Sequence, residues 1–300
     1  MRVAVIGATG FVGRRVLRAL TERGDVAVAY SRDPERARRS LDEGVECRAN
    51  GSIDGASLSG FDAVVNLAGE PIAERRWNDA VKRSLRESRV TLTRAVVEAL
   101  ATSTPRPSVL LNASAVGFYG PCGDEEVTEE TAGGDDFLAG LCRDWEAEAR
   151  RAEAHGVRVV RLRMGVVLGE AGGSLAKMLL PFKMFVGGPL GDGKQWFPWV
   201  HLDDAAGMVA HAIDHDALQG AANVTAPTPV RFGEFAEALG KALHRPSWLP
   251  VPGFALKAVA GEVAEVLLTG QRAVPRAMTQ SGYRFAFPSL DAALRDVLRS

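Results

Sequence analysis

Seven residues near the start of the chain, Gly7-Ala-Thr-Gly-Phe-Val-Gly13, constrain its fold more than any other stretch. They follow "RVAVI", a nearly continuous apolar run of the kind that forms a buried parallel strand. They open "FVGRRVLRALTER", whose apolar residues recur with a helical period. A glycine triple between strand and helix has a physical use. Gly7 allows the tight turn, Gly10 lets the backbone approach a pyrophosphate, and Gly13 lets helix and strand pack closely. Thr9, Phe11 and Val12 complete the same turn. The motif predicts a dinucleotide-binding α/β unit.

The rest of the first half repeats the alternation. Apolar runs at 2–7, 26–31, 62–68, 108–114 and 157–163 read as strands, and 11–23, 78–102 and 136–155 read as helices. Such alternation predicts a Rossmann-type α/β fold with a doubly wound parallel sheet. After Gly165 the pattern changes. Residues 187–199 are rich in Gly, Pro and aromatics and read as irregular loop with short strands. A helix is expected from near Asp203, a strand over 220–226, and two or three helices beyond Pro227. We therefore expect a nucleotide domain over 1–165 and a smaller, mostly helical substrate region or lid over 166–300. Within the latter, 203–226 is expected to return to the Rossmann core.

Composition matters here for what it excludes. A net charge of −1 gives no electrostatic case for nucleic acid or an anionic membrane as partner. The three widely spaced cysteines, Cys47, Cys122 and Cys142, argue against a disulfide framework and for a reducing compartment. The longest apolar stretch, 253–268, is broken by Lys257, Glu262 and Glu265 and does not read as a membrane span. A cytoplasmic protein with a small-molecule substrate and no metal is the expectation.

The second strand bears on which dinucleotide fits. It ends in "YSRDPER", near the offset where an NAD site places an acid on the ribose 2′-hydroxyl. Ser31 and Arg32 stand there instead, and a guanidinium pairs with a 2′-phosphate. Asp33 lies one step later and is placed to cap a turn before Pro34. The expected cofactor is NADP(H).

"IGATGFVG", "NLAG" at Asn66–Gly69, "SAVGFYG" at Ser114–Gly120 and "WVHLDDAA" at Trp199–Ala206 together resemble the extended short-chain dehydrogenase/reductase family. "NLAGEPIAERRW", "FLAGLCRDWE", "PFKMFVGGPLGDGKQWFPWVHLDD" and the tail from "VP" to "GQR" are similar to its atypical epimerase-like subfamily, which has a small C-terminal domain of unknown function and SulA-like members. The resemblance spans essentially the whole chain. It implies that Leu67, Ala68 and Gly69 line the cofactor and that Ser114 ends its strand beside the nicotinamide. The family places its active Ser or Thr five residues before the closing Gly. Ala115 holds that position here, one residue after Ser114.

A second departure concerns the acid. The family's mechanism uses a Tyr phenol and a Lys one helical turn later, a spacing that puts both on one helix face. No Tyr-x-x-x-Lys exists in this chain: Tyr30, Tyr119 and Tyr283 are followed four residues on by Pro34, Gly123 and Phe287. The aligned pair is Phe137 and Leu141, or Leu138 and Cys142 with a shift of one. Tyr119, Ser114 and Glu70 are the remaining candidates for proton chemistry, and Glu146 reads as a salt-bridged acid. Family members acting on nucleotide sugars also carry an Arg-Asp pair where this chain has Phe197 and Pro198. Trp77, Phe182, Phe185, Trp196, Phe197 and Trp199 are available for an apolar pocket, with core packing expected for at least half of them.

Two further motifs fail on chemistry. "GPLGDGKQ" (188–195) lacks the Ser or Thr and the following helix of a phosphate-binding P-loop. His211 and His215 are four apart, but Ala212 stands where a zinc protease needs Glu. Two functions remain: an NADP(H)-dependent oxidoreductase or epimerase-like enzyme, or a non-catalytic NADP(H)-binding regulator.

Overall fold

The computed structural model describes residues 1–169 and 172–299. Its strands are β1 (Arg2–Ile6), β2 (Val26–Ser31), β3 (Glu46–Ala49), β4 (Ala63–Asn66), β5 (Val109–Ala115), β6 (Glu126–Val127), β7 (Arg158–Met164), β8 (Val166–Leu168), β9 (Trp196–Phe197), β10 (Trp199–His201), β11 (Gly220–Val224), β12 (Val230–Arg231) and β13 (Arg272–Ala273). Its helices are α1 (Phe11–Glu22), α2 (Pro34–Ser40), α3 (Gly55–Leu58), α4 (Asp79–Arg86), α5 (Leu92–Thr102), α6 (Phe137–Arg150), α7 (Gly173–Lys183), α8 (Leu202–Asp214), α9 (Phe232–Leu243), α10 (Gly253–Ala260), α11 (Val263–Leu268), α12 (Arg276–Gln280) and α13 (Leu290–Val297).

Seven strands form one parallel sheet in the order β3-β2-β1-β4-β5-β7-β11. Alternate side chains feed two cores, as the pleat requires. Val3, Val5, Leu111 and Val160 pack under α1 and α8, while Ala4, Ile6, Val64, Leu110 and Val159 pack under α3, α5 and α6. Burial on both faces explains why these strands read as continuous apolar runs. β11 is the last strand, beside β7, so the chain from α8 through β11 lies in the nucleotide layer.

The sequence reading missed α2 and β3. Their residues, "PERARRS" and "ECRA", are mostly charged because this end of the sheet is the edge. α2 starts where Asp33 accepts from Arg36 N at 2.9 Å, with Pro34 in the first turn.

A third core joins the remaining chain. Phe182, Phe197 and Trp199 pack there with Phe232, Phe235, Leu239, Leu290 and Leu294, so three of the six aromatics expected near a pocket are packing residues. The tail carries α9 to α13, five helices rather than two or three. Four of them have eight residues or fewer and lack a long amphipathic signal. Asp204 fastens it: the buried carboxylate accepts from Ala286 N at 2.8 Å, Phe287 N at 2.9 Å and Tyr283 Oη at 3.0 Å. Neither Asp203 nor Asp204 caps α8. His201 does, its Nδ1 accepting from Asp203 N at 3.1 Å. Among the described residues no helix is long and apolar enough to cross a membrane.

Candidate functional site

The glycine turn is a cradle that side chains would fill. Gly7 has φ +81°, and a Cβ there would stand 2.8 Å from Ala68 N and 2.9 Å from Leu67 C. A Cβ on Gly13 would stand 2.2 Å from Gly7 O. The loop leaving β1 and the Leu67–Gly69 loop leaving β4 therefore touch at the carboxyl ends of the strands. Chain order reverses between β1 and β4, and open α/β sheets bind ligands in the crevice at such a point. Thr9, Gly10, Phe11 and Val12 carry the turn into α1, whose free N–H groups face the crevice. Phe11 is itself overlain: Cβ atoms on Gly169, Gly172 or Gly173 would come within 2.7–2.9 Å of its ring. A dinucleotide pyrophosphate fits this cradle.

Beyond β2 lies a recess of about 270 Å³, lined by Thr9, Arg14, Ser31, Arg32, Asp33, Arg36, Ala37 and Ser40. Ser31 is buried and its hydroxyl bridges Asp33 N at 3.3 Å, which turns the chain into α2. Arg14 is held across the recess by donation to Thr9 O at 3.0 Å and Ser40 O at 2.8 Å. Arg36 stands in the first turn of α2 and faces the same space. Ser31 and Arg32, the two residues expected at this place, line the recess together with Arg14 and Arg36, which the sequence reading did not single out. For Arg36 the signal was the basic run after Asp33, of which this residue reaches the recess once α2 is in place.

The candidates for proton chemistry are all engaged. Ser114 is buried and donates to Glu146 Oε1 at 2.7 Å. Glu146 also receives Arg161 Nη1 at 3.0 Å and both Nε and Nη2 of Arg163, at 2.8 and 2.9 Å. Tyr119 is 3% exposed; its hydroxyl donates to Asn223 Oδ1 at 2.7 Å and accepts from Arg163 Nη1 at 3.0 Å. Burial pushes the phenol up to about 12, against the opposing pull of Arg163. Glu70 is half-buried, and one carboxylate oxygen takes Arg75 at 3.0 Å and Ser84 at 2.8 Å. At the family's Tyr and Lys positions, Leu138, Leu141 and Cys142 are buried, and Phe137 packs edge-on to Trp77. The reading of Glu146 as a salt-bridged acid agrees with this geometry. Tyr119, one of the three candidates for proton chemistry, caps this buried network.

A second buried network steadies the wall between cofactor crevice and α6. Asn66 Nδ2 donates to Asn112 Oδ1 at 2.7 Å and Thr93 Oγ1 at 3.0 Å, and Trp145 Nε1 donates to the same Thr93 hydroxyl at 2.9 Å.

A glycine cradle at the switch point of a seven-stranded parallel sheet places the fold in the Rossmann-type, extended short-chain dehydrogenase/reductase class. The chain belongs to the NAD dependent epimerase/dehydratase family, whose model matches residues 3–224; a domain of unknown function, DUF1731, matches 251–297. It is 42% identical to an epimerase family protein SDR39U1 homolog, chloroplastic, of Arabidopsis thaliana, over all of this chain and 87% of the relative. It is 37% identical to the epimerase family protein YfhF of Bacillus subtilis, over 99% of this chain and 98% of the relative. The crystal structure of human SDR39U1 isoform 2 with NADPH superposes with TM-score 0.91 at 36% identity, covering 100% of this chain and 99% of that one.

Proposed function

We propose that this chain binds NADP(H) and acts as an oxidoreductase or epimerase-like enzyme on a small, partly apolar substrate. The observation that carries the cofactor is the recess past β2, where Arg14, Arg32 and Arg36 outnumber the one acid, Asp33, whose carboxylate caps α2. The human relative crystallised with NADPH supports the same reading. The bound cofactor supplies or accepts a hydride. The chain's own part is to cradle the pyrophosphate at Gly7–Gly13, neutralise the 2′-phosphate and close the crevice with the Leu67–Gly69 loop.

A second reading, a non-catalytic NADP(H)-binding regulator, is favoured by one fact: Tyr119 and Ser114 are committed to buried partners. Calorimetric titration with NADPH and NADH tests the cofactor, with NADPH tighter by tenfold or more expected, about 1.4 kcal/mol. Absorbance at 340 nm with a panel of aldehydes, ketones and sugars then separates enzyme from regulator. Equal affinity for the two cofactors defeats the first assignment; a wholly silent panel favours the regulator.

A further inference from the structure

The long helix expected over 78–102 is not regular. Between α4 and α5 the residues Glu87–Thr91 make a π-helical turn, an insertion that recurs at functional sites. Arg89 is at its centre and is 9% exposed. Its Nη2 donates to Glu70 O at 2.7 Å, and its Nη1 donates to Leu85 O at 3.1 Å and Ser88 Oγ at 3.3 Å. A Cβ on Gly69 would stand 3.0 Å from the guanidinium carbon, so Gly69 leaves room for Arg89 to lie against the loop. The Trp145 ring centroid is 5.2 Å from the same carbon.

Every acceptor of Arg89 is neutral. Among the described residues no carboxylate lies within salt-bridge distance of it, and Glu70, its acidic neighbour, is committed to Arg75 and Ser84. The chain treats its other deeply buried guanidinium differently: Arg163 has Glu146 as a bidentate partner. A buried cation without a counter-charge is costly, and burial lowers the pKa of Arg89 against the pull of Cys142 and Glu70. The charge stands directly behind the Gly69–Glu70 wall of the crevice, where the β1 and β4 loops meet.

We infer that Arg89 is a positioning residue for the cofactor: it fixes the Gly69–Glu70 loop and keeps an unneutralised positive charge behind it that favours NADPH over NADP⁺. The inference rests on the NADP(H) reading above. NADPH carries one more negative charge than NADP⁺, because its nicotinamide ring is neutral. A fixed cation in a low-dielectric wall therefore stabilises the reduced form more than the oxidised form.

The test is calorimetry on the full chain with three ligands: NADPH, NADP⁺ and adenosine 2′,5′-bisphosphate, which lacks the nicotinamide half. Wild type is expected to bind NADPH more tightly than NADP⁺. In Arg89→Met the ratio of the two dissociation constants should shrink by about fivefold or more, the scale of a modest coupling, while adenosine bisphosphate binding stays within about twofold. Arg89→Lys keeps the charge and should keep most of the ratio. Glu70→Gln removes the opposing charge and should widen it, and this variant serves if Arg89→Met does not fold. An unchanged ratio in Arg89→Met, or in Glu70→Gln where that is the usable variant, overturns the inference, whether or not overall affinity falls. Failure of wild type to bind the bisphosphate is a different outcome, which overturns the cofactor assignment and this inference with it.

Discussion

Glu146 and Arg163 meet through two hydrogen bonds, 2.8 and 2.9 Å, with both side chains almost wholly buried. The pair joins α6 to β7 beneath the end of β5, where Ser114 hangs from the same carboxylate. Replacing one partner leaves the other charge buried and alone, which costs about 3–5 kcal/mol. Glu146→Gln should lower the unfolding free energy measured in urea by that amount, since Arg161 also loses its acid. A loss under about 1 kcal/mol would show that water or another acceptor compensates.

Tyr119→Phe tests a structural against a chemical phenol. Its hydroxyl serves Asn223 and Arg163, so removing it should cost about 1–3 kcal/mol of stability and leave NADPH affinity unchanged. With a substrate in hand, turnover should change by less than tenfold. A loss of about a hundredfold, the usual scale for a general acid, with stability intact would restore Tyr119 as the proton donor.

The basic recess predicts cofactor choice residue by residue. Arg32→Ala and Arg36→Ala each remove a charge-assisted contact of about 1.5–3 kcal/mol. NADPH affinity should fall roughly ten- to a hundredfold in each, and NADH affinity should hardly move. Competition against a fluorescent NADPH signal reads both. Equal losses for the two cofactors would remove the 2′-phosphate from this recess.

Gly13→Ala asks whether the cradle has any slack. The added Cβ would stand 2.2 Å from Gly7 O, a backbone atom that cannot step aside without moving β1 against α1. Cofactor binding should be lost, and NADPH should no longer raise the melting temperature as it does by mass action for a competent site. A preserved thermal shift would mean that the turn relaxes.

Stability should also fall in mild acid through His201. Burial lowers its pKa below the ordinary value of 6.5, against the pull of Asp203 and Asp296. The unfolded chain then binds the proton more tightly than the folded one. The contribution is therefore intact above about pH 6.5 and is lost as pH falls below it. His201→Asn keeps a capping acceptor for α8 and removes the titration, so its midpoint should vary less between pH 7 and pH 5. Identical profiles for the two proteins would assign the acid sensitivity to other groups, such as His211.

The local features were legible because local physics sets them. The glycine cradle needs only a strand before it and a helix after it, and Gly7, Gly10 and Gly13 stand at the spacing that this turn imposes. The buried strands announced themselves by continuous hydrophobicity, since both faces of the sheet are covered. Ser31 and Arg32 were readable because strand length and turn length fix which residues stand at the end of β2. The absence of Tyr-x-x-x-Lys was readable too, since one helical turn is a sequence distance.

Tertiary structure decided everything that depends on distant partners. Arg36 and Arg14 face one recess only after α2 folds back beside α1. Tyr119 reads as a free phenol until β11 brings Asn223 to it, 104 residues away. Glu146 gains its role from Arg161, Arg163 and Ser114 on two other elements. Arg89 is one basic residue in a helix by sequence. The π turn and the missing Cβ at Gly69 make it a buried cation behind the cofactor loop. Burial and pairing set what an ionisable group does, and both are properties of the packed chain rather than of its spacing.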